Sequence, residues 1–404
     1  MVVSKKLNYL ISVIFVILFF AGLYSAEFYP VMNFRCFAGQ YFFEKEASSF
    51  GGNLNFNIIP AIKFSDKFSL LPALYSDYRG VKDVTELVGG GTLYQQSWSN
   101  TLSIKPIFNI SETQKLRAKI GYALQLYRET TDEEWTKGLF DYKKLTTGIE
   151  YEAEAIDSKV FLGYDIFSLN FYNYKSLAET KYGQELSGKV GENVLDFVAN
   201  EIYSQGKKVL GERLIIDYFI NYTIENFVDQ KLVTETGEYS PAKRVDNILY
   251  IKFSPNYVNI PTGPLNLITG LNLGGCLYNS NQNNYDVNNK KFNSNYYDYQ
   301  EINFGPNMVC KLNKVPLTLS LSYDFSYRKY MERLVQDNVG NYTNDKINIT
   351  KHYIVLGVIY PVGENLQLVF QPSVLNSSSN MKYETVYKYN YTSTNYFFGL
   401  IWEH

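Results

Sequence analysis

The feature that most constrains the fold is a period-two alternation of apolar and polar side chains, sustained over runs of about 10 to 17 residues. Successive side chains of an extended chain point to opposite faces, so each such run has one greasy and one wet face. Between residues 115 and 127, Leu116, Ala118, Ile120, Tyr122, Leu124 and Leu126 alternate with Lys115, Arg117, Lys119 and Gln125. Between 317 and 328, Leu317, Leu319, Leu321, Tyr323, Phe325 and Tyr327 alternate with Thr318, Ser320, Ser322, Asp324, Ser326 and Arg328. Similar runs start at Asn53, Arg213 and Asn365. Strands in soluble sandwiches usually last ~5–6 residues. Tilted membrane-crossing strands need ~9–11 and match better.

The N-terminus supplies a route to such a membrane. Lys5 and Lys6 precede an apolar run over 10–23, interrupted only by Ser12, and the small residues Ser25 and Ala26 follow. This is the layout of a secretory signal peptide, with cleavage expected near Ala26 and a mature chain of 27–404. The run is shorter than the ~20 residues of a spanning helix, and no later segment approaches one. No cysteine follows the run to carry a lipoprotein anchor. The mature chain is therefore either exported and soluble or crosses a membrane as a closed barrel, the one other form that pairs every backbone group in lipid. With 38 Lys plus Arg against 40 Asp plus Glu, the net charge is −2, which excludes a basic surface for nucleic acid. The 37 Tyr and 27 Phe exclude disorder.

The connections alternate in length. Short links at 65–67, 111–113, 157–158, 261–264, 313–315 and 361–364 carry turn residues, and longer polar links lie at 79–92, 130–141, 234–243, 280–295 and 333–346. Short turns on one side and long loops on the other are the arrangement of an outer-membrane barrel. Counting hairpins gives about 16 strands when both termini lie on the short-turn side. The segment 174–211 has Val194, Leu195, Val198 and Ile202 at helical spacing, so it is expected as a long loop, with or without a short helix. Leaving out a strand there makes the count odd, and the expected range is 14–16. Pro60, Pro72, Pro106, Pro306 and Pro372 fall inside expected strands, each requiring a bulge, a strand end or a shifted boundary.

At the chain end Tyr396, Phe398, Leu400 and Trp402 alternate on one face, followed only by Glu403 and His404. This resembles the C-terminal signature of Gram-negative outer-membrane β-barrel proteins, in which a last strand with a near-terminal aromatic is read by the barrel assembly machinery. Trp402 is third from the end and not last, a departure from that pattern. The resemblance covers about ten residues by motif and the mature chain by pattern; it identifies a porin-like class and no single family. Aromatic clusters at Tyr41, Phe42 and Phe43, at Tyr296, Tyr297 and Tyr299, and at Tyr387, Tyr389 and Tyr391 lie beside polar loops, where rings can sit at headgroup depth or act as loop-tip contacts. The apolar face of the last strand changes phase between Tyr391 and Tyr396, which calls for a bulge.

Catalysis is not expected. Outer-membrane phospholipases, deacylases and omptin-like proteases need a membrane-edge His with Ser or Asp partners, and the mature chain has only His352 and His404. Tyr353 and Ile354 follow His352, so no His-x-Ser pattern exists. Glu150, Glu152 and Glu154 share one strand face at roughly 7 Å spacing. They form a cation-attracting strip or calcium site, or, the favoured reading, ordinary lumen lining near the periplasmic rim. Lys115, Arg117 and Lys119 stand on the equivalent face of the preceding strand, where the opposite strips set a transverse field or neutralise one another. Asp324 and Arg328 complete the lumen candidates. Gly89, Gly90 and Gly91 lack the Gly-Lys-Ser/Thr of a phosphate loop, and Cys36, Cys276 and Cys310 lack metal-ligand spacing. No metal, cofactor or disulfide is expected. Asn-x-Ser/Thr matches such as Asn109, Asn341 and Asn348 are ordinary in an Asn-rich chain.

The sequence thus predicts an all-β chain: a signal peptide and one transmembrane antiparallel up-and-down β-barrel of 14–16 strands, embedded in outer-membrane lipid. Its expected function is passive diffusion or uptake of small polar solutes, as a monomer or homo-oligomer. Strand-like sequence begins by Val31, leaving no N-terminal plug of the kind found in ligand-gated receptors and fatty-acid transporters. Two alternatives stand beside this reading: a structural or adhesive surface barrel with a closed lumen and partner-binding loops, and an exported soluble β protein that binds carbohydrate or protein.

Overall fold

The computed structural model describes residues 27–44, 46–47, 50–80, 96–130, 132–174, 193–259, 265–287, 289–385 and 387–404. The expected signal peptide, Gly89 to Gly91 and residues 175–192 lie outside the described residues. Sixteen strands close into one antiparallel barrel, the top of the expected range. They are β1 (Met32–Phe43), β2 (Gly51–Ile58), β3 (Phe68–Arg79), β4 (Gln96–Asn109), β5 (Gln114–Arg128), β6 (Tyr142–Ala155), β7 (Ser158–Asn170), β8 (Phe197–Leu210), β9 (Leu214–Val233), β10 (Tyr239–Val258), β11 (Leu265–Ser280), β12 (Tyr299–Leu312), β13 (Thr318–Gln336), β14 (Tyr342–Pro361), β15 (Leu366–Ser379) and β16 (Tyr391–Glu403). Each pairs with its sequence neighbour, and β16 pairs with β1 from Asn33↔Glu403 to Phe43↔Ser393, so no edge is left open.

The greasy faces point outward. Leu54, Phe56, Leu116, Ile120, Ile149, Leu162, Ile202, Ile302, Leu321 and Phe398 are all exposed. A closed barrel with such a band overturns the soluble alternative, whose apolar faces would meet in a core.

Three expectations need correction. Within the segment 174–211 the described residues show strand at Phe197–Leu210 and no helix: Val198 and Ile202 are four apart, a spacing that puts residues on one face of a strand as well as of a helix. Asn200, Ser204 and Lys208 share that face and break up its apolar signal. Half of the link 234–243 and most of 333–346 are strand, because β9, β10 and β14 have 20 residues each and β13 has 19. At ~3.3 Å per residue and a ~40° tilt they rise about 50 Å, twice the ~25 Å apolar band, and form two tall hairpins beyond it. The β11–β12 link joins these hairpins: Gln282 Oε1 accepts from the Val233 N–H, and the Tyr342 hydroxyl donates to Asp286 at 2.8 Å.

The prolines need neither bulges nor shifted boundaries. Pro72, Pro106, Pro306 and Pro372 keep a partner on one side, opposite Ile104, Leu70, Leu271 and Tyr396. On the other side the ladder skips the proline and resumes in the same register, as between Ile104↔Ile120 and Ile107↔Arg117. Pro60 does break its strand. Glu27–Tyr29 pairs with Ala61–Lys63 in the register set by β1 and β2, which places Pro30 opposite Pro60. The β2–β3 register in turn places Pro60 opposite Pro72, so three prolines form one row near the short-turn rim.

Candidate functional site

The inward face carries the charge. In the arc β5–β8, residues with polar neighbours two apart meet across the ladder. Lys115 pairs with Glu152 at 3.5 Å; Arg117 pairs with Glu150 at 2.9 Å and also with Glu152; Lys119 pairs with Asp165. Lys159 donates to Glu152 at 2.6 Å and stands 3.8 Å from Glu154. The side chain of Glu152 is only 1% exposed and is held by three cations, whereas that of Glu154, nearest the two-residue turn at Ile156 and Asp157, is 52% exposed. The acidic and basic strips therefore neutralise one another as cross-strand pairs, and among the described residues no group of three or more His, Cys, Asp or Glu could hold a metal.

Two of these contacts jump a strand. Lys119 and Asp165 both stand opposite Gly148, and Glu150 and Tyr203 both stand opposite Gly163. A Cβ at Gly148 would run into the Asp165 carboxylate, and one at Gly163 into the Tyr203 ring. Side chains converge this way on the concave side of a curved sheet. Asp165, Lys159 and Tyr203 were missed as site residues; the sequence signal was present in Asp165 alternating with Tyr164 and Ile166, but only the register reveals its partner.

A second charged group lies towards the long-loop end. Arg328 donates to Glu301 at 2.6 Å and sits 4.3 Å above the Tyr299 ring. Arg244 holds the fully buried Asp246 at 2.9 Å and lies between the Phe227 and Tyr297 rings, 4.4 and 4.6 Å from their centroids. Arg333 stacks on Tyr296 at 4.5 Å and donates to the Tyr389 hydroxyl at 2.8 Å. Asp324 faces a ≈350 Å³ cavity shared with Lys252, Lys351 and Tyr353.

These contacts correct the expected aromatic belt. Tyr41, Tyr389 and Tyr391 are 1%, 4% and 5% exposed, and Tyr296 and Tyr297 pack on arginines, so these rings fill the interior at the mouth. Phe42 does point outward, edge-on to Tyr396. The last strand also has no bulge: its register to β15 and β1 is continuous, and Tyr391 lies inward while Tyr396 lies outward.

No family model matches the sequence, and no curated protein matches it either. Among solved structures, OccAB3 of Acinetobacter baumannii superposes with a TM-score of 0.50 at 9% identity, over 94% of this chain and all of that one. OmpT of Vibrio cholerae, an outer membrane protein with a structure in trimer form, superposes with a TM-score of 0.47 at 12% identity, over 93% and 99%. The chain has the fold of an outer-membrane β-barrel. At such identities the likeness speaks for the fold alone.

In this barrel Tyr396, Phe398 and Leu400 are exposed outward on β16, and Trp402 stands opposite Leu366 and Phe34. His352 accepts or donates at Nδ1 to the Tyr323 hydroxyl at 2.7 Å and packs against Phe325, all three on the outward face. His404 stacks on Trp402 and closes the ladder with Met32. The three cysteines are free thiols.

Proposed function

We propose that the protein is an outer-membrane channel for passive diffusion or uptake of small polar solutes, with no catalytic step. The observation that carries this reading is the inward face itself. Lys115, Arg117, Lys119, Glu150, Glu152, Glu154, Asp324 and Arg328 all lie on the side away from the exposed apolar band. Charge of both signs inside a 16-strand barrel favours water, and barrels of this size leave an aqueous lumen unless loops fill it. Lumen-lining is the role assigned to these eight residues. Tyr396, Phe398, Leu400 and Trp402 are assigned to recognition by the barrel assembly machinery, and homo-oligomers are the expected assembly.

The test is liposome swelling with neutral solutes of increasing size. The channel reading requires swelling rates that fall as solute size grows; folded protein that passes none of them contradicts it. One observation favours a second reading, a surface barrel with a closed mouth: Arg244, Arg333, Tyr296, Tyr297 and Tyr389 pack together inside the long-loop end. Under that reading swelling appears only after these residues are truncated.

A further inference from the structure

The wall built from β10 to β14 handles charge differently from the ion-paired arc. Lys252 on β10, Gly274 on β11, Asn303 on β12, Ser326 on β13 and Lys351 on β14 stand in one row across the ladder. They border the ≈350 Å³ cavity that Asp324 faces, within the ~300–1,000 Å³ of small-molecule sites. Gly274 leaves bare backbone between Lys252 and Asn303, and a Cβ there would have no neighbour closer than 3.4 Å. Gly305, also on the cavity, is covered instead: a Cβ there would run into the Asp324 carboxylate, which lies over that glycine.

In the arc β5–β8, Lys115, Arg117, Lys119 and Lys159 each hold a carboxylate. On this wall, among the described residues, the side chains of Lys252, Asp324, Asn303 and Ser326 make no ion pair or hydrogen bond. Lys252 and Asp324 are three strands apart, about 14 Å along the wall at ~4.8 Å per strand. Both charges, and the polar groups between them, are therefore available to a solute. A purely anionic solute would be attracted by Lys252 and repelled by Asp324, and a purely cationic one the reverse. A solute carrying both an ammonium and a carboxylate satisfies the pair, with its carboxylate on Lys252 and its ammonium on Asp324, while the Asn303 amide and Ser326 hydroxyl serve its polar body. An amino acid has that chemistry.

We infer that Lys252, Asp324, Asn303 and Ser326 form a subsite on the lumen wall for zwitterionic solutes of the amino-acid class. This deepens the channel reading and rests on it for the solute's route, while binding itself is measured without transport. The experiment is saturation-transfer NMR on the full barrel folded in detergent, with three probes: L-alanine, N-acetyl-L-alanine, which lacks the ammonium, and L-alaninamide, which lacks the carboxylate. Saturation should reach L-alanine, and both analogues should bind more weakly. In Lys252→Met the affinity for L-alanine should fall about tenfold, equivalent to ~1.4 kcal/mol, and Lys252→Arg, which keeps the charge, should retain most of it. Asp324→Asn should weaken L-alanine but not N-acetyl-L-alanine, and heat-modifiable migration verifies that each variant is folded. No transfer to L-alanine, either analogue bound as tightly as L-alanine, or affinity unchanged in the folded Lys252→Met and Asp324→Asn variants overturns the inference. Binding without conductance sinks the channel reading and leaves the subsite standing; conductance without binding does the reverse.

Discussion

The Tyr203 hydroxyl donates to the Glu150 carboxylate at 2.9 Å across an intervening strand, passing over Gly163. A side chain at 163 would occupy the Tyr203 ring's place. Gly163→Ala should therefore displace the ring and lose the hydrogen bond, costing about 1–3 kcal/mol. Urea unfolding of the barrel in detergent measures it, and an unshifted midpoint would count against the contact.

Arg117 holds two carboxylates, one of them on a side chain 1% exposed. Arg117→Met leaves Lys115 and Lys159 on Glu152 but removes the cation from Glu150, which keeps the Tyr203 hydroxyl. The expected cost is about 1–3 kcal/mol, below that of a fully buried pair because the Arg117 side chain is itself 24% exposed. Loss of this cation should also move the reversal potential in a salt gradient towards cation preference; a shift towards anions would contradict the assignment.

Glu384, in the link between β15 and β16, gives the long-loop end of the barrel a pH dependence. Burial pushes its carboxyl up, but the backbone N–H and side-chain amide of Asn390 and the N–H of Tyr389 outweigh this and hold it below the usual range. A depressed value stabilises the link above the ordinary glutamate range near ~4.3. That contribution disappears as pH falls through the folded value. Protection of the Tyr389 and Asn390 amides, relative to their intrinsic exchange, should fall as the pH drops below the ordinary glutamate range, and Glu384→Gln should flatten the profile. Identical profiles for the two proteins would refute it.

The C-terminal strand closes the barrel against β1, with Trp402 opposite Phe34. Trp402→Ala combined with Phe398→Ala should leave most of the chain out of the membrane and without heat-modifiable migration, while the same pair of changes at the outward Leu321 and Ile354 should be tolerated far better. Equal assembly of both variants would remove the special role of the last strand.

The barrel was legible in the sequence because one face of each run had to meet lipid, so period two survives over whole strands such as 115–127. It failed at β8, where Asn200, Ser204 and Lys208 share the outward face with Val198 and Ile202. The facing strips of Lys115 to Lys119 and Glu150 to Glu154 could be placed on neighbouring strands, because the link 130–141 makes the two runs consecutive arms of one hairpin. Contacts that skip a strand, such as Lys119 with Asp165, depend on Gly148 and on register, which no local pattern contains. The buried tyrosines at the mouth were misassigned for a related reason: an aromatic beside a polar loop is equally suited to headgroups or to an arginine, and Arg333 beneath Tyr296 and Tyr389 decides it.

Under the proposed function, the outward apolar and inward charged faces enclose a water-filled path through the closed barrel. Single-channel recording of the purified, heat-modifiable protein in planar bilayers tests it most directly. Discrete conductance steps whose ion preference shifts in Arg117→Met are expected; a folded, inserted barrel that never produces a step would refute the water-filled path.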